Sequence, residues 1–400
     1  MSAILPPQLP SLPAQETSFP PVPIAPLQGR PRRLVLRTGR GLKSWFLATL
    51  SCLNVPFAIL FSGWTYRLVQ RRAHTLWARR LEEPPPSERV LPRWILSDAF
   101  GSHLSLVQSR SPLQWIRAIS HAFLGSFAAN LKTGFLVVLN SMLVTLPGGM
   151  IMMFSWHSGW DNSFNKGYEQ AAVGPLWGFA GIFLFMAAMT YVPIAQARQA
   201  ATDSAKAFWN YRRVRHVIRA RPVACVLLTA GYTALGAVFM IAVSALMIIG
   251  NGEQFAEMTV AQIVAFLNRY YFWWAALFIV PGFVLLKLTA GRIYSGATFD
   301  AVTTGRWKKK ELVGEEARIF QSAPVTARPP ALPGPMRTSL FAFSIIGRLG
   351  LRVTTFVLLL LLAFELYVGQ FFNSEPAANW LRQPMVQLPW FHSIPGHLKE

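Results

Sequence analysis

The sequence predicts an all-α fold, a polytopic bundle of transmembrane helices, on three observations. Residues 174–193, GPLWGFAGIFLFMAAMTYVP, run without a charge for about twenty positions, the length that crosses a bilayer's hydrocarbon core. The chain is 52% hydrophobic and 14% charged, where globular domains carry about 25% charged residues to clothe their surface. Cations gather beside the apolar runs: Arg198, Lys206, Arg212, Arg213, Arg215, Arg219 and Arg221 follow the run above, against Asp203 alone. Basic flanks of this kind are retained on the cytoplasmic side of a membrane. The net charge of +21 is thereby divided among juxtamembrane segments, which argues against nucleic acid as a partner.

Taken in order, residues 1–29 are proline-rich, almost uncharged and unable to build a core, so they read as a disordered tail. No apolar signal-peptide core is expected there. Residues 30–131 form a basic cytoplasmic segment. Within it, 44–66 (SWFLATLSCLNVPFAILFSGWTY) has span length but is interrupted by Asn54 and Pro56. Strongly basic flanks lie on both sides of this run, so a re-entrant hairpin turning at 54–56 keeps both inside. A full crossing instead brings the count to six spans. RLVQRRAHTLWARRL (67–81) has the two faces of an interfacial helix, EEPPPSERVLPRW is a turn region, and 112–131 is expected to lie along the interface or pack under the bundle rather than span it.

Residues 132–292 read as a four-span core. The first crossing is 133–156, with Asn140 and a break at Pro147-Gly148-Gly149 inside it. The loop after it holds Asp161 and Glu169 against Lys166. The second crossing, from residue 174, is expected to continue as one helix through the arginines to 221. There Phe208, Trp209, Tyr211, Val214 and Val217 interleave with the cations as in a helix lying on headgroups. The third crossing, 222–250, leads to a loop with Glu253 and Glu257 and no base. The fourth, 269–291, returns with Tyr270, Tyr271, Trp273 and Trp274 as an aromatic belt and with Lys287 and Arg292 marking its inner end. Residues 293–338 read as a cytoplasmic loop and proline-rich linker, 339–372 as the last transmembrane helix, and 373–400 as an outer tail with Trp380, Trp390 and Phe391 at the interface. Gly174 with Gly178, and Ala230 with Ala234 and Ala237, offer small faces for close helix packing. With five crossings the amino terminus is inside and the carboxyl terminus outside.

No catalytic motif is visible: there is no phosphate loop, no HExxH and no nucleophile elbow. His392 and His397 lack a third ligand near them, and Cys52 and Cys225 read as small buried hydrophobes. No enzyme activity, cofactor or metal is expected. The candidate intramembrane polar site is Glu365 with Asn54 and Asn140. A carboxylate inside a span marks a pathway or ion pair unless it reaches water at the outer surface. Arg212, Arg213, Arg215, Arg219, Lys308, Lys309 and Lys310 are the candidate contacts to anionic headgroups, each worth about 1 kcal/mol near such a leaflet.

GYEQAAVGP, then TYVPIAQARQAATDSAKAFWNYRRVRHVIRARP, and LPRW at 91–94 give the chain a resemblance to an uncharacterised group of bacterial and archaeal polytopic membrane proteins. It covers roughly residues 45–290, implies membrane location, and carries over no activity and no functional residue. The leading expectation is a non-enzymatic integral protein of the bacterial cytoplasmic membrane, a scaffold or accessory subunit. Its partners are then the anionic bilayer and other membrane subunits. The alternative is a small permease or channel component whose broken helices meet Glu365 in a polar cavity. A dry bundle would favour the scaffold.

Overall fold

The computed structural model describes residues 30–81, 112–155, 173–250, 253–322, 337–369 and 388–392. Among them the chain is helical and forms no strand. It divides into two units, Met1–Ser44 and Trp45–Glu400. The described part of the first is the opening of helix α1 (Arg30–Ser51). The end of α1 and all later helices belong to the second.

Among the described residues five helices are long and apolar enough to cross a membrane: Phe123–Phe154, Leu176–Thr202, Pro222–Leu246, Val260–Thr303 and Ser344–Glu365. The five apolar runs of the sequence are each found here, with longer bounds for three of them. Helix α3 (Pro112–Phe154) is continuous. It passes through Lys132, and its stretch fit to cross begins at Phe123, so 123–131 extend the first crossing rather than lying along the interface or beneath the bundle. It also passes through Pro147, where a break was expected. A proline inside a helix removes one hydrogen bond, and Gly148 beside it lets α4 (Val173–Thr202) come close. A Cβ on Gly148 would stand 2.6 Å from the Phe185 backbone nitrogen and 3.0 Å from the Gly181 carbonyl.

The interruption at Asn54 is real. Helix α1 ends at Ser51, Asn54 is extended (φ −137, ψ 135), and α2 runs Val55–Arg80 with proline in its first turn. The basic stretch after residue 66 is not a separate interfacial helix. It is the second half of α2, because Tyr66, Val69, Gln70, Ala73, His74 and Trp77 continue one buried stripe at helical spacing. Trp77 donates to the Ser295 carbonyl at 2.9 Å. Helix α2 crosses α3 where Gly63 faces the Asn130 carbonyl and Gly134 faces that of Ile59, leaving no room for a Cβ on either. The Cys52 carbonyl at the α1–α2 break accepts from the Phe391 N–H at 2.9 Å. The Phe391 ring is fully buried, 5.5 Å from Phe239 and 5.2 Å from Tyr271. The expected interfacial role of Phe391 is therefore replaced by a plug over freed backbone; Trp390 is half-buried and Trp380 lies outside the described residues.

The helix expected to run unbroken from 174 to 221 stops at Thr202. Asp203 takes a left-handed backbone (φ 54), a short turn α5 (Ala205–Phe208) follows, and α6 (Tyr211–Ala220) starts afresh. Asn210 caps α6 by accepting from the Arg213 N–H at 3.2 Å. Helix α7 (Pro222–Gly250), the short α8 (Glu253–Ala256) and α9 (Val260–Trp274, with a Thr259–Gln262 capping box) come next. A π-helical turn, Ala275–Ile279, joins α9 to α10 (Val280–Thr303). Pro281, which cannot donate to the Leu277 carbonyl, follows that turn, and the wider turn relieves the clash its ring would make.

Residues 293–322 are not a loop. Helix α10 continues to Thr303, and after a 3-10 turn (Lys309–Glu311) α11 (Gly314–Ser322) buries Ile319 and Phe320. Gly314 (φ +55) sits against the Thr202 carbonyl, where a Cβ would collide. The last helix, α12 (Arg337–Gly369), packs on α7 and α4 and is the least buried of the five apolar helices.

The α2–α3 crossing gives a direct test. Gly63→Val should destabilise the protein by about 3 kcal/mol, the upper range for overpacking a closed contact, seen as a lower unfolding midpoint in detergent. A midpoint equal to that of the parent would mean the helices do not cross there.

Candidate functional site

Within the apolar stretch VPGFVLLKLTAG of α10 the one cation is Lys287, which is 1% exposed. An ammonium in such a place must find hydrogen-bond acceptors inside the protein, since water is excluded. Its Nζ donates to Gln196 Oε1 at 2.7 Å and to the Tyr232 hydroxyl at 3.2 Å. Three rings surround it, Phe283 at 5.0 Å, Tyr232 at 5.5 Å and Tyr66 at 5.7 Å from Nζ to centroid, distances at which a ring face attracts a cation. Lys287 thus does not mark the inner end of a crossing. It sits at the junction of α2, α4, α7 and α10.

The polar contacts continue sideways. Gln196 Nε2 donates to Ser141 Oγ at 2.8 Å, and Ser141 Oγ to the Val137 carbonyl at 2.7 Å. One turn on, Gln199 Oε1 accepts from Asn140 Nδ2 at 3.1 Å. Helical spacing places Gln196 and Gln199 on one face of α4, opposite the adjacent pair Asn140 and Ser141 of α3. Farther along α4, Arg198 is 1% exposed and donates to the Ala207 carbonyl at 2.9 Å; His74 Nε2 lies 3.0 Å from the Ala201 carbonyl.

A second cluster is built where α11 covers the ends of α4 and α10. Glu316 is fully buried and accepts from the Tyr294 hydroxyl. Burial raises its pKa above the ordinary carboxylate range, opposed by the positive charges of Arg198 and Arg213 and by the Tyr294 bond. Arg213 pairs with Glu311 and lies 4.3 Å over the Trp307 ring. His216 packs on the same ring at 5.5 Å, and burial, then Arg306 and Arg213, push its pKa down.

The residues singled out from the sequence do not gather. Asn140 is buried in the Gln199 contact, Asn54 is exposed at the head of α2, and Glu365 is half-buried on α12 against Gly236 of α7. Glu365 Oε2 has no hydrogen-bond partner among the described residues. Arg212, Arg215 and Arg219 are exposed on α6, opposite its buried Val214 and Val217, as are Lys308 and Lys310 beyond α10; Lys309 is half-exposed. Arg213 turns inward to Glu311 and Trp307 instead. Lys287, Gln196, Gln199, Arg198 and Glu316 were missed as site residues. The signal for them was Lys287 itself, apolar on both sides, and the polar stretch QARQ at the end of an apolar run.

Among the described residues no group of three or more His, Cys, Asp or Glu side chains could hold a metal ion. Comparison with family models, curated proteins and solved structures finds no match to the chain. Fold and site define a class, an all-helical protein with five helices fit to cross a membrane and a buried lysine tying four helices together.

Two outcomes are expected from these contacts. Gln196→Leu, which strips the ammonium of its nearest acceptor, should cost about 2 to 3 kcal/mol, the value of a hydrogen bond to a charged group. Lys287→Met in the same chain should recover part of that loss, so a double-mutant cycle by chemical unfolding should show coupling. Because the folded-state pKa of Glu316 is raised, its contribution is full below the ordinary carboxylate pKa and declines as pH rises through the raised value. Glu316→Gln should therefore flatten the fall in melting temperature between acidic and neutral pH.

Proposed function

We propose that the chain is a multi-pass protein of a bacterial cytoplasmic membrane that holds other membrane subunits, a scaffold or accessory subunit that catalyses no reaction. The amino terminus then faces the cytoplasm and the carboxyl terminus the outside, with 44–66 entering and leaving on the inner side. The observation that carries this reading is the separation of Asn54, Asn140 and Glu365, the polar groups a pathway would have to join. The exposed Arg212, Arg215, Arg219, Lys308 and Lys310 support an inner face set against anionic headgroups.

A permease is the second reading, and Lys287 is the observation in its favour, because an ionisable residue buried in a span is a usual element of a substrate or proton path. The test uses a deletion host complemented by Lys287→Gln and Glu365→Gln. A scaffold keeps full complementation with both variants as long as each accumulates in the membrane at parental levels. Loss of complementation at parental levels would favour transport. Tags at the two ends add the orientation: in spheroplasts external protease should remove the carboxyl-terminal tag and spare the amino-terminal one.

A further inference from the structure

Helices α4, α6, α7 and α12 line an open-sided cavity of about 990 Å³. One end of it carries Arg219 at the end of α6 and Arg348 and Arg352 on successive turns of α12. All three side chains are exposed, and none is ion-paired or hydrogen-bonded among the described residues. Among the described residues no acidic side chain lines the cavity. Three guanidinium groups lining one cavity repel one another unless an anion joins them.

The rest of the cavity has the opposite character. From Arg348 to Leu359 the α12 wall rises about 16 Å, at about 1.5 Å per residue, and the facing stretches of α4 (183–194) and α7 (222–232) are of similar length. That is about half of a hydrocarbon core of about 30 Å, the depth of one leaflet. The threonine hydroxyls of the wall are already used: Thr190 donates to Ala187, Thr229 to Cys225 and Thr355 to Leu351, each within its own helix, while the Tyr232 hydroxyl accepts from Lys287. The surface left for an occupant is therefore apolar. Toward the far end the rings of Phe183 and Phe356 stack 6.4 Å apart.

An anionic head at one end and a leaflet-deep apolar wall beneath it match one kind of molecule. We propose that this groove holds a single anionic glycerophospholipid, its phosphate among Arg219, Arg348 and Arg352 and an acyl chain between α4, α7 and α12. Basic pockets between transmembrane helices at the inner surface suit such headgroups. The proposal rests on the membrane placement under Proposed function. It adds a defined site to the diffuse attraction of surface cations.

The test uses the full chain, delipidated in mild detergent and titrated with phosphatidylglycerol or with phosphatidylcholine of identical acyl chains, with lipid adducts counted by native mass spectrometry. One saturable phosphatidylglycerol per chain is expected, bound more tightly than phosphatidylcholine. Each arginine near the phosphate is worth about fivefold in affinity, so R348Q/R352Q should weaken phosphatidylglycerol about twenty-five-fold and leave phosphatidylcholine unchanged. R348K/R352K, which keeps the charge, should retain most of the binding. Ala187→Trp, which fills the groove from an exposed wall position, should reduce occupancy with all three arginines in place.

Equal affinity for the two lipids would overturn the proposal, as would unchanged binding by R348Q/R352Q. Displacement of phosphatidylglycerol by glycerol phosphate at equal concentration would reduce the site to one for anions and overturn the acyl-chain claim. A lipid-free dimer in the spectrum would mean that a second copy occupies the groove. Each variant is compared at a melting temperature matching the parent, so loss of fold is not read as loss of binding. Recovery of the chain without detergent would remove the membrane placement itself; a membrane-bound chain indifferent to headgroup charge would remove only the groove.

Discussion

The hydrogen bond from Lys287 to Gln196 is the contact on which the rest of the second unit depends. A charged amine cannot be left bare among apolar side chains, since an unpaired ion there costs several kcal/mol even after relaxation. Satisfying it fixes the rotation of α10 toward α4 and brings Tyr232 of α7 and Tyr66 of α2 to the same point. Gln196 can accept from the lysine only with its amide nitrogen turned to Ser141, which brings in α3. Apolar helices in lipid have little to choose between one rotation and another. This polar junction supplies the choice.

The same demand for satisfied backbone governs the irregular places. The helix end at Cys52 frees a carbonyl, and the chain returns near its carboxyl end to meet it with the Phe391 N–H and cover it with the ring. Pro281 is accommodated by a π turn of its own helix, and Pro147 by the close passage of α4 at Gly148. Irregular backbone at membrane depth persists only where other protein covers it.

At the basic end the charges divide into two populations. Arg198 and Arg213 are drawn inside, where both offset the buried Glu316 and Arg213 pairs with Glu311. Arg212, Arg215, Arg219, Arg348 and Arg352 stay exposed. The first population holds α11 over the ends of α4 and α10. The second faces whatever lies beyond the protein, and around the groove of α4, α7 and α12 it is concentrated without any acid to balance it.

The five apolar helices were legible because span length and lack of charge are properties of a local run, and Asn54-Pro56 was legible as an interruption because both residues act on their own backbone. Arg213 shows the limit. It is turned about 100° around the helix from Arg212 and about 160° from Arg215, and the position of Val214 and Val217 on the buried face hints at it, but Trp307 and Glu311 lie far along the chain. Lys287 looked like a boundary marker for the same reason: a cation near the end of an apolar run reads alike whether it reaches headgroups or a neighbouring helix. By itself the sequence determined where the five apolar runs lie and where the positive charge accumulates. Only the tertiary structure decided which cations turn inward and which glycines carry a crossing, because those depend on the face each helix presents to partners distant in sequence, and hydropathy records the length of a helix but not its rotation.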